Sequence, residues 1–310
     1  MMMKEKGGIE MQRVLGKTGV SLSPIGFGCA SIWGNRLISD AEAIGLFETA
    51  YDLGITYFDT GHSYGLAEER IGKALKTGSV PRDKIVISTK FGTRILNGKP
   101  IHDVSPAWIR ESVQLSLQRM GIEYVDLLSI HGTRSSDFND ETFETLQALK
   151  KEGLVRFVGA STSNSAELIE EISHHDWFDY VFLRYNILNR ALEPLIEALN
   201  RQGIGVIAGA PLAEALYSER IYHPHNKKDL WYLARAAAHF RRQMREGRRY
   251  RFIDHVEGMT GAQIALRYVL DNPCIASAVI GTTSKQHLYD NMQTLQMEIP
   301  TDILLRIQNT

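Results

Sequence analysis

Short apolar runs recur along the chain, and each is followed by a polar stretch in which apolar residues return at helical spacing. Residues 25–29, 55–58, 84–89, 125–130, 154–160, 180–184, 204–208 and 276–280 have the length and character of buried strands. The first helix is predicted from Ser39 or Asp40, carries Ala43, Ile44, Phe47, Ala50 and Tyr51 on one face, and stops near Gly54. Others are predicted over 68–76, over 106–120 behind Ser105 and closed by Gly121, over 140–152, 165–172 and 193–201, and from Ser284. Ahead of the first strand, 12–15 and 20–23 flank Gly16-Lys17-Thr18-Gly19 and predict a β-hairpin.

Eight strands alternating with helices predict a single (β/α)8 TIM barrel domain over residues 1–310, with 1–10 as a loose leader. A doubly wound sheet is the alternative, but no G-x-G-x-x-G follows a strand here. Residues 213–272 break the rhythm. A strongly basic helix is predicted at 230–249, and a solvated outer face is favoured for it over an anionic-ligand site or a subunit contact. A further helix is predicted over 258–270. The chain ends soon after the Ser284 helix, which predicts no long C-terminal loop over the barrel.

Composition narrows the picture in two ways. A net charge of −1 gives no general attraction to nucleic acid or to an anionic membrane, and no apolar run reaches bilayer-spanning length. The two cysteines, Cys29 and Cys274, lie far apart without metal-ligand spacing, which points to reduced thiols in a cytoplasmic setting.

Three consecutive strands end in polar groups. The second ends at Asp59, and the turn after it carries Tyr64; the third ends at Lys90 and the fourth at His131. In a parallel barrel these ends share one opening. A phenol with an ordinary pKa of ~10 is a poor proton donor near neutrality, and a neighbouring ammonium favours its ionised form. A carboxylate keeps that ammonium charged and in place, and an imidazole across the opening binds the substrate oxygen. Each residue alone has a commonplace role: a turn aspartate, a packed tyrosine, a solvated lysine, a histidine at a core edge. The four together suit proton delivery to a carbonyl oxygen while a hydride donor attacks its carbon.

Phe58-Asp59-Thr60, Ser63-Tyr64-Gly65, Ser88-Thr89-Lys90-Phe91-Gly92 and the strand ending in His131 resemble the aldo-keto reductases, a likeness running from Gln12 to Asn291. The resemblance implies a barrel whose bottom is closed by the N-terminal hairpin, with NADP(H) or NAD(H) across the top. It implies Tyr64 as general acid/base, Lys90 lowering its pKa, Asp59 pairing with Lys90, and His131 orienting the carbonyl. On the cofactor side it implies Ser161, followed by Thr162 where many members have Asn, at the nicotinamide amide. Pro211 and Leu212 match the loop over the pyrophosphate. Gly281, Thr282, Thr283, Ser284, Lys285, His287 and Asn291 match the adenosine-phosphate site.

Two positions depart from the family pattern. A strand-six glutamine is replaced by Phe182 or Leu183, and the strand-seven aromatic under the nicotinamide is Gly209. Members without that ring include sugar 1-dehydrogenases. Lys285 is the one fully charged cation of the 281–287 segment, which leaves NAD(H) open beside NADP(H). Cys29, Trp33, Arg184 and Tyr185 are expected to rim the substrate pocket. The expected activity is an NAD(P)(H)-dependent interconversion of a small polar or sugar-like carbonyl and its alcohol. The alternatives are oxidation of a sugar hemiacetal to a lactone, a cofactor-binding regulatory subunit with little turnover, and an unrelated phosphate-binding barrel enzyme.

Overall fold

The computed structural model describes residues 11–162, 165–218 and 227–310, so the expected leader at 1–10 lies outside the described residues. The chain opens with the hairpin β1 (Arg13–Val14) and β2 (Ser21–Leu22), then β3 (Ile25–Gly28), α1 (Asp40–Asp52), β4 (Tyr57–Asp59) and α2 (Ala67–Lys76). Next come β5 (Val86–Phe91), a second hairpin β6 (Thr93–Leu96) and β7 (Lys99–His102), α3 (Pro106–Met120) and β8 (Val125–His131). The alternation continues with α4 (Asp140–Lys151), β9 (Val155–Thr162), α5 (Ala166–Ser173), β10 (Tyr180–Arg184), α6 (Glu193–Arg201) and β11 (Gly205–Gly209). The last part holds α7 (Lys227–His239), α8 (Arg241–Gly247), α9 (Gly261–Leu270), β12 (Ile275–Ile280), α10 (Lys285–Gln293) and α11 (Thr301–Gln308).

The eight expected strands form a closed parallel barrel in the order β3-β4-β5-β8-β9-β10-β11-β12, sealed by pairing of β12 with β3 at Val279 and Gly26. Closure excludes the doubly wound sheet. The helix starts follow capping chemistry: Ser39 and Glu42 form a reciprocal box at α1, Ser105 precedes Pro106 at α3, and Thr260 with Gln263 starts α9. Their apolar stripes, such as Ala43, Leu46, Phe47 and Ala50 of α1, are buried against the barrel wall.

Side chains on the strands alternate between lumen and helix layer. The lumen is filled by Tyr57, Leu127, Tyr180, Ile207 and Val279, packed with Leu15 and Leu22 from the hairpin. That hairpin also donates Lys17 N–H to the Gly203 carbonyl at 2.8 Å, just ahead of β11, so it closes the N-terminal end of the barrel as expected. Further along the same faces, the C-terminal ends carry Asp59, Lys90, His131, Ser161, Phe182 and Gly209.

Three elements differ from the sequence reading. The β6–β7 hairpin and α11 were not anticipated. The basic helix is not continuous: it breaks at Phe240, which leaves helical geometry at ψ 28°, and α8 then runs into a 3-10 stretch over Arg248–His255. The break lets Gly247 pack under the loop after β11, where any β-carbon would lie 2.3 Å from the Leu216 carbonyl. Arg242 is solvated and pairs with Glu246 one turn on, in keeping with a solvated face.

Candidate active site

Asp59 and His131 end β4 and β8, Lys90 is the penultimate residue of β5, the three strands are neighbours in the barrel, and Tyr64 sits in the turn between β4 and α2. The structure brings all four to one opening. Lys90 Nζ lies 2.5 Å from Asp59 Oδ1 and 2.7 Å from the Thr60 carbonyl, with both charged side chains almost fully buried. Ser88, one strand face with Lys90, donates to the same Asp59 oxygen at 2.7 Å and lies 2.9 Å from the Tyr57 hydroxyl. Above the ion pair, Lys90 Nζ is 5.1 Å from the centre of the Tyr64 ring and 4.9 Å from that of Phe182. Tyr64 meets His131 edge-to-face at 5.5 Å.

Burial would push the Lys90 ammonium towards neutrality, but Asp59 and Tyr64 outweigh it and its pKa is raised. At the Tyr64 phenol burial opposes the expected pull of Lys90, which is present. Burial lifts the pKa, Lys90 pulls it down without cancelling that lift, Asp59 adds to it, and the net direction is up. Burial first, then the Lys90 charge and His102, lower His131 to about 4, so its imidazole is neutral near pH 7.

The turn that carries Tyr64 is braced from two sides. Leu66 N–H donates to the Gly34 carbonyl at 2.8 Å, and the loop around Gly34 is held by the buried Arg70 guanidinium, which bonds the carbonyls of Trp33, Asn35 and Ile38. Buried Glu68 accepts from Thr89 Oγ1 at 2.7 Å and from Arg119 at 3.0 Å, tying α2 to the strand that presents Lys90. Sequence reading missed Ser88, Glu68 and Arg70. Only Ser88 had a signal, its spacing of two from Lys90.

The expected substrate rim is corrected at three of its four positions. Cys29 is fully buried one step past the β3 lumen face, and burial, with Asp59 adding, raises its thiol pKa. Trp33 is 2% exposed and packs edge-on against Phe27 in the helix-side core. Tyr185 turns to the helix layer, where its hydroxyl donates to Glu193 at 2.8 Å. Arg184 does reach the mouth, half-buried and paired with Glu214 at 2.6 Å.

Among the expected cofactor residues, Ser161 and Thr162 end β9, with Ser161 in register with His131. Pro211 and Leu212 follow β11 in a loop where Ala210, Ala213, Glu214 and Ala215 have φ of 50°, 48°, 50° and 56°. Such left-handed, non-glycine backbone is strained and gathers at ligand sites. Gly281, Thr282 and Thr283 lead from β12 to Ser284, which caps α10 by accepting from the His287 amide at 3.4 Å. Asn291 is buried within α10. The Lys285 ammonium lies against α1, 3.7 Å from where a β-carbon on Gly45 would stand.

Gly209 is explained by a neighbour. A β-carbon there would lie 2.4 Å from Phe182 Cε1, so the Phe182 ring occupies the space that a side chain on β11 would take. Gly209→Ala is therefore expected to displace the ring and destabilise the protein by about 1–3 kcal/mol. A urea midpoint unchanged by that substitution would show that the ring is free to swing aside.

The Aldo/keto reductase family model matches residues 24–309. The chain belongs to the aldo-keto reductase family. It is 30% identical to L-galactose dehydrogenase of Arabidopsis thaliana over 90% of this chain and 86% of that protein. It is 28% identical to the NADH-specific methylglyoxal reductase of Escherichia coli, over 92% and 93% of the two chains. A solved aldo-keto reductase of Bacillus halodurans, in its holo form, superposes with a TM-score of 0.79 at 28% identity, covering 96% of this chain and 95% of that one. This aldo-keto reductase is thus an oxidoreductase that uses NADP(H) or NAD(H).

Proposed function

We propose that this aldo-keto reductase interconverts a small, hydroxylated carbonyl compound and its alcohol, with Tyr64 as general acid/base. The observation that carries the reading is the convergence of a half-buried phenol, a charge-paired lysine and a neutral imidazole on one opening. When bound, the nicotinamide supplies hydride to the carbonyl carbon, or accepts it in the oxidative direction. Burial keeps Tyr64 protonated, so it meets a carbonyl oxygen as an acid. As the proton leaves, the Lys90 charge, fixed by Asp59, stabilises the phenolate that remains. His131 holds the same oxygen from the other side by a hydrogen bond from a neutral imidazole. In the oxidative direction the phenolate takes the alcohol proton back.

The residues present fit a dinucleotide. Phe182 offers a flat apolar face beside Lys90, and the nine-residue α10, which starts shortly after β12, leaves first-turn amides other than that of His287 free for an anion. Ser161, the Pro211–Leu212 turn and the 281–287 segment are the groups that would hold it. Because the Lys285 ammonium is turned against Gly45 of α1, a 2′-phosphate gains few charge-assisted bonds, each worth ~1.5–3 kcal/mol. NADH and NADPH are therefore expected to bind within about tenfold of each other in a fluorescence titration. An NADPH preference beyond roughly a hundredfold would contradict this part of the reading.

A second reading, oxidation of a sugar hemiacetal to its lactone, is supported by the likeness to L-galactose dehydrogenase along 90% of the chain. The same four groups serve it. Rates with hydroxyaldehydes in reduction, set against free aldoses in oxidation, separate the two. A cytoplasmic setting belongs to the same reading and is supported by the two free cysteines.

A further inference from the structure

The hairpin between β5 and α3 does more than cross from strand to helix. Its turn, Asn97-Gly98, has φ of 51° and 74°, the doubly left-handed geometry that suits a two-residue hairpin loop. Its base is pinned at several points. His102 Nε2 lies 2.8 Å from Asp137 Oδ1, Asp103 N–H donates to the Gly92 carbonyl at 2.8 Å, and Arg94 pairs with Asp103 at 3.1 Å while lying over the Trp108 ring. Thr93 is the first residue of this hairpin and pairs across it with His102. Its Oγ1 stands 2.9 Å from His131 Nδ1.

A neutral imidazole carries one N–H, and the partner of one ring nitrogen decides which. Among the described residues, Thr93 is the partner of Nδ1, and its hydroxyl makes no other hydrogen bond. If Nδ1 carried the hydrogen, the threonine proton would have no protein acceptor and Nε2 would face the opening as a bare lone pair. If Thr93 donates, both groups are satisfied and Nε2 carries the hydrogen. A carbonyl oxygen needs a donor, so only the second arrangement serves it.

We propose that Thr93 is a positioning residue that fixes His131 as its Nε2–H tautomer, so that the hairpin sets the hydrogen-bond polarity of the opening. The catalytic consequence rests on the carbonyl/alcohol reading above; the tautomer itself does not. The test is a long-range proton–nitrogen correlation spectrum of the full-length, 15N-labelled protein, with the His131 ring assigned by its loss in His131→Asn. The expected wild-type signal is a single neutral Nε2–H form across about pH 6–8. Thr93→Val should give a mixture of tautomers and lower kcat/KM for a carbonyl substrate about 10–100-fold, leaving nucleotide affinity unchanged. Thr93→Ser should restore both the spectrum and the rate. A wild-type Nδ1–H form, or a Thr93→Val protein with the wild-type tautomer, would overturn the assignment. A wild-type Nε2–H spectrum in a protein that turns over no carbonyl or alcohol would support the assignment and count against the reductase reading alone.

Discussion

Tyr64→Phe is expected to bind nucleotide as the wild type does and to lose about 10²–10⁴-fold in turnover, the usual contribution of a positioned acid/base. The substitution removes one oxygen and keeps the ring. The ring's contacts with His131 at 5.5 Å and with the Lys90 ammonium at 5.1 Å therefore survive, and so does the fold. What disappears is the phenolic proton, together with the hydroxyl's hydrogen bond to Lys90; among the described residues Lys90 is otherwise engaged by Asp59 and Thr60, and His131 is neutral with a conjugate-acid pKa of about 4. Retention of most of the turnover in steady-state assays would remove Tyr64 from the chemistry.

Asp59→Asn is expected to cost about 3–5 kcal/mol of folding stability, because it strands a buried ammonium rather than removing a pair. Lys90 is 2% exposed, and its remaining partners would all be uncharged: an amide oxygen in place of the carboxylate, the Thr60 carbonyl, the Tyr64 hydroxyl and two aromatic faces. The pH dependence follows from the sign of the shift. In the wild type the Lys90 pKa is raised, so its contribution is complete below the ordinary lysine value and is lost only as pH rises through the folded one. Without Asp59, uncompensated burial lowers that pKa, the unfolded chain binds the extra proton, and stability should rise with pH towards about 10. Urea titrations at neutral and alkaline pH read this directly. The double variant Asp59→Asn/Lys90→Met should recover most of the loss, since it leaves no buried charge. A single variant as stable as the wild type would mean that water reaches Lys90.

The barrel was legible because strand and helix periodicities alternate cleanly and each helix has its own start and stop residues. The four polar groups were legible because Asp59, Lys90 and His131 each stand where an apolar run ends. Parity explains the failures at the rim. Cys29 and Tyr185 sit one residue past the lumen positions Gly28 and Arg184, and a single step turns a strand side chain to the helix layer. The β6–β7 hairpin carried a readable signal in Asn97-Gly98 between Ile95-Leu96 and Ile101, but its strands are four residues long and resemble a loop. The direction of the Tyr64 shift was not legible at all. It depends on how far burial outweighs Lys90, a quantity that only the packed opening fixes. Likewise, Phe182 filling the space beside Gly209 needs both strands in register.

The most direct test of the account follows the hydride and the proton together. A dinucleotide deuterated at the transferable position of the nicotinamide ring is incubated with a hydroxyaldehyde, and the alcohol is examined by mass spectrometry. The account predicts one deuterium on the carbinol carbon with the wild-type protein, and product formation nearly abolished by Tyr64→Phe. An unlabelled alcohol, or labelled alcohol formed as fast by Tyr64→Phe, would contradict it.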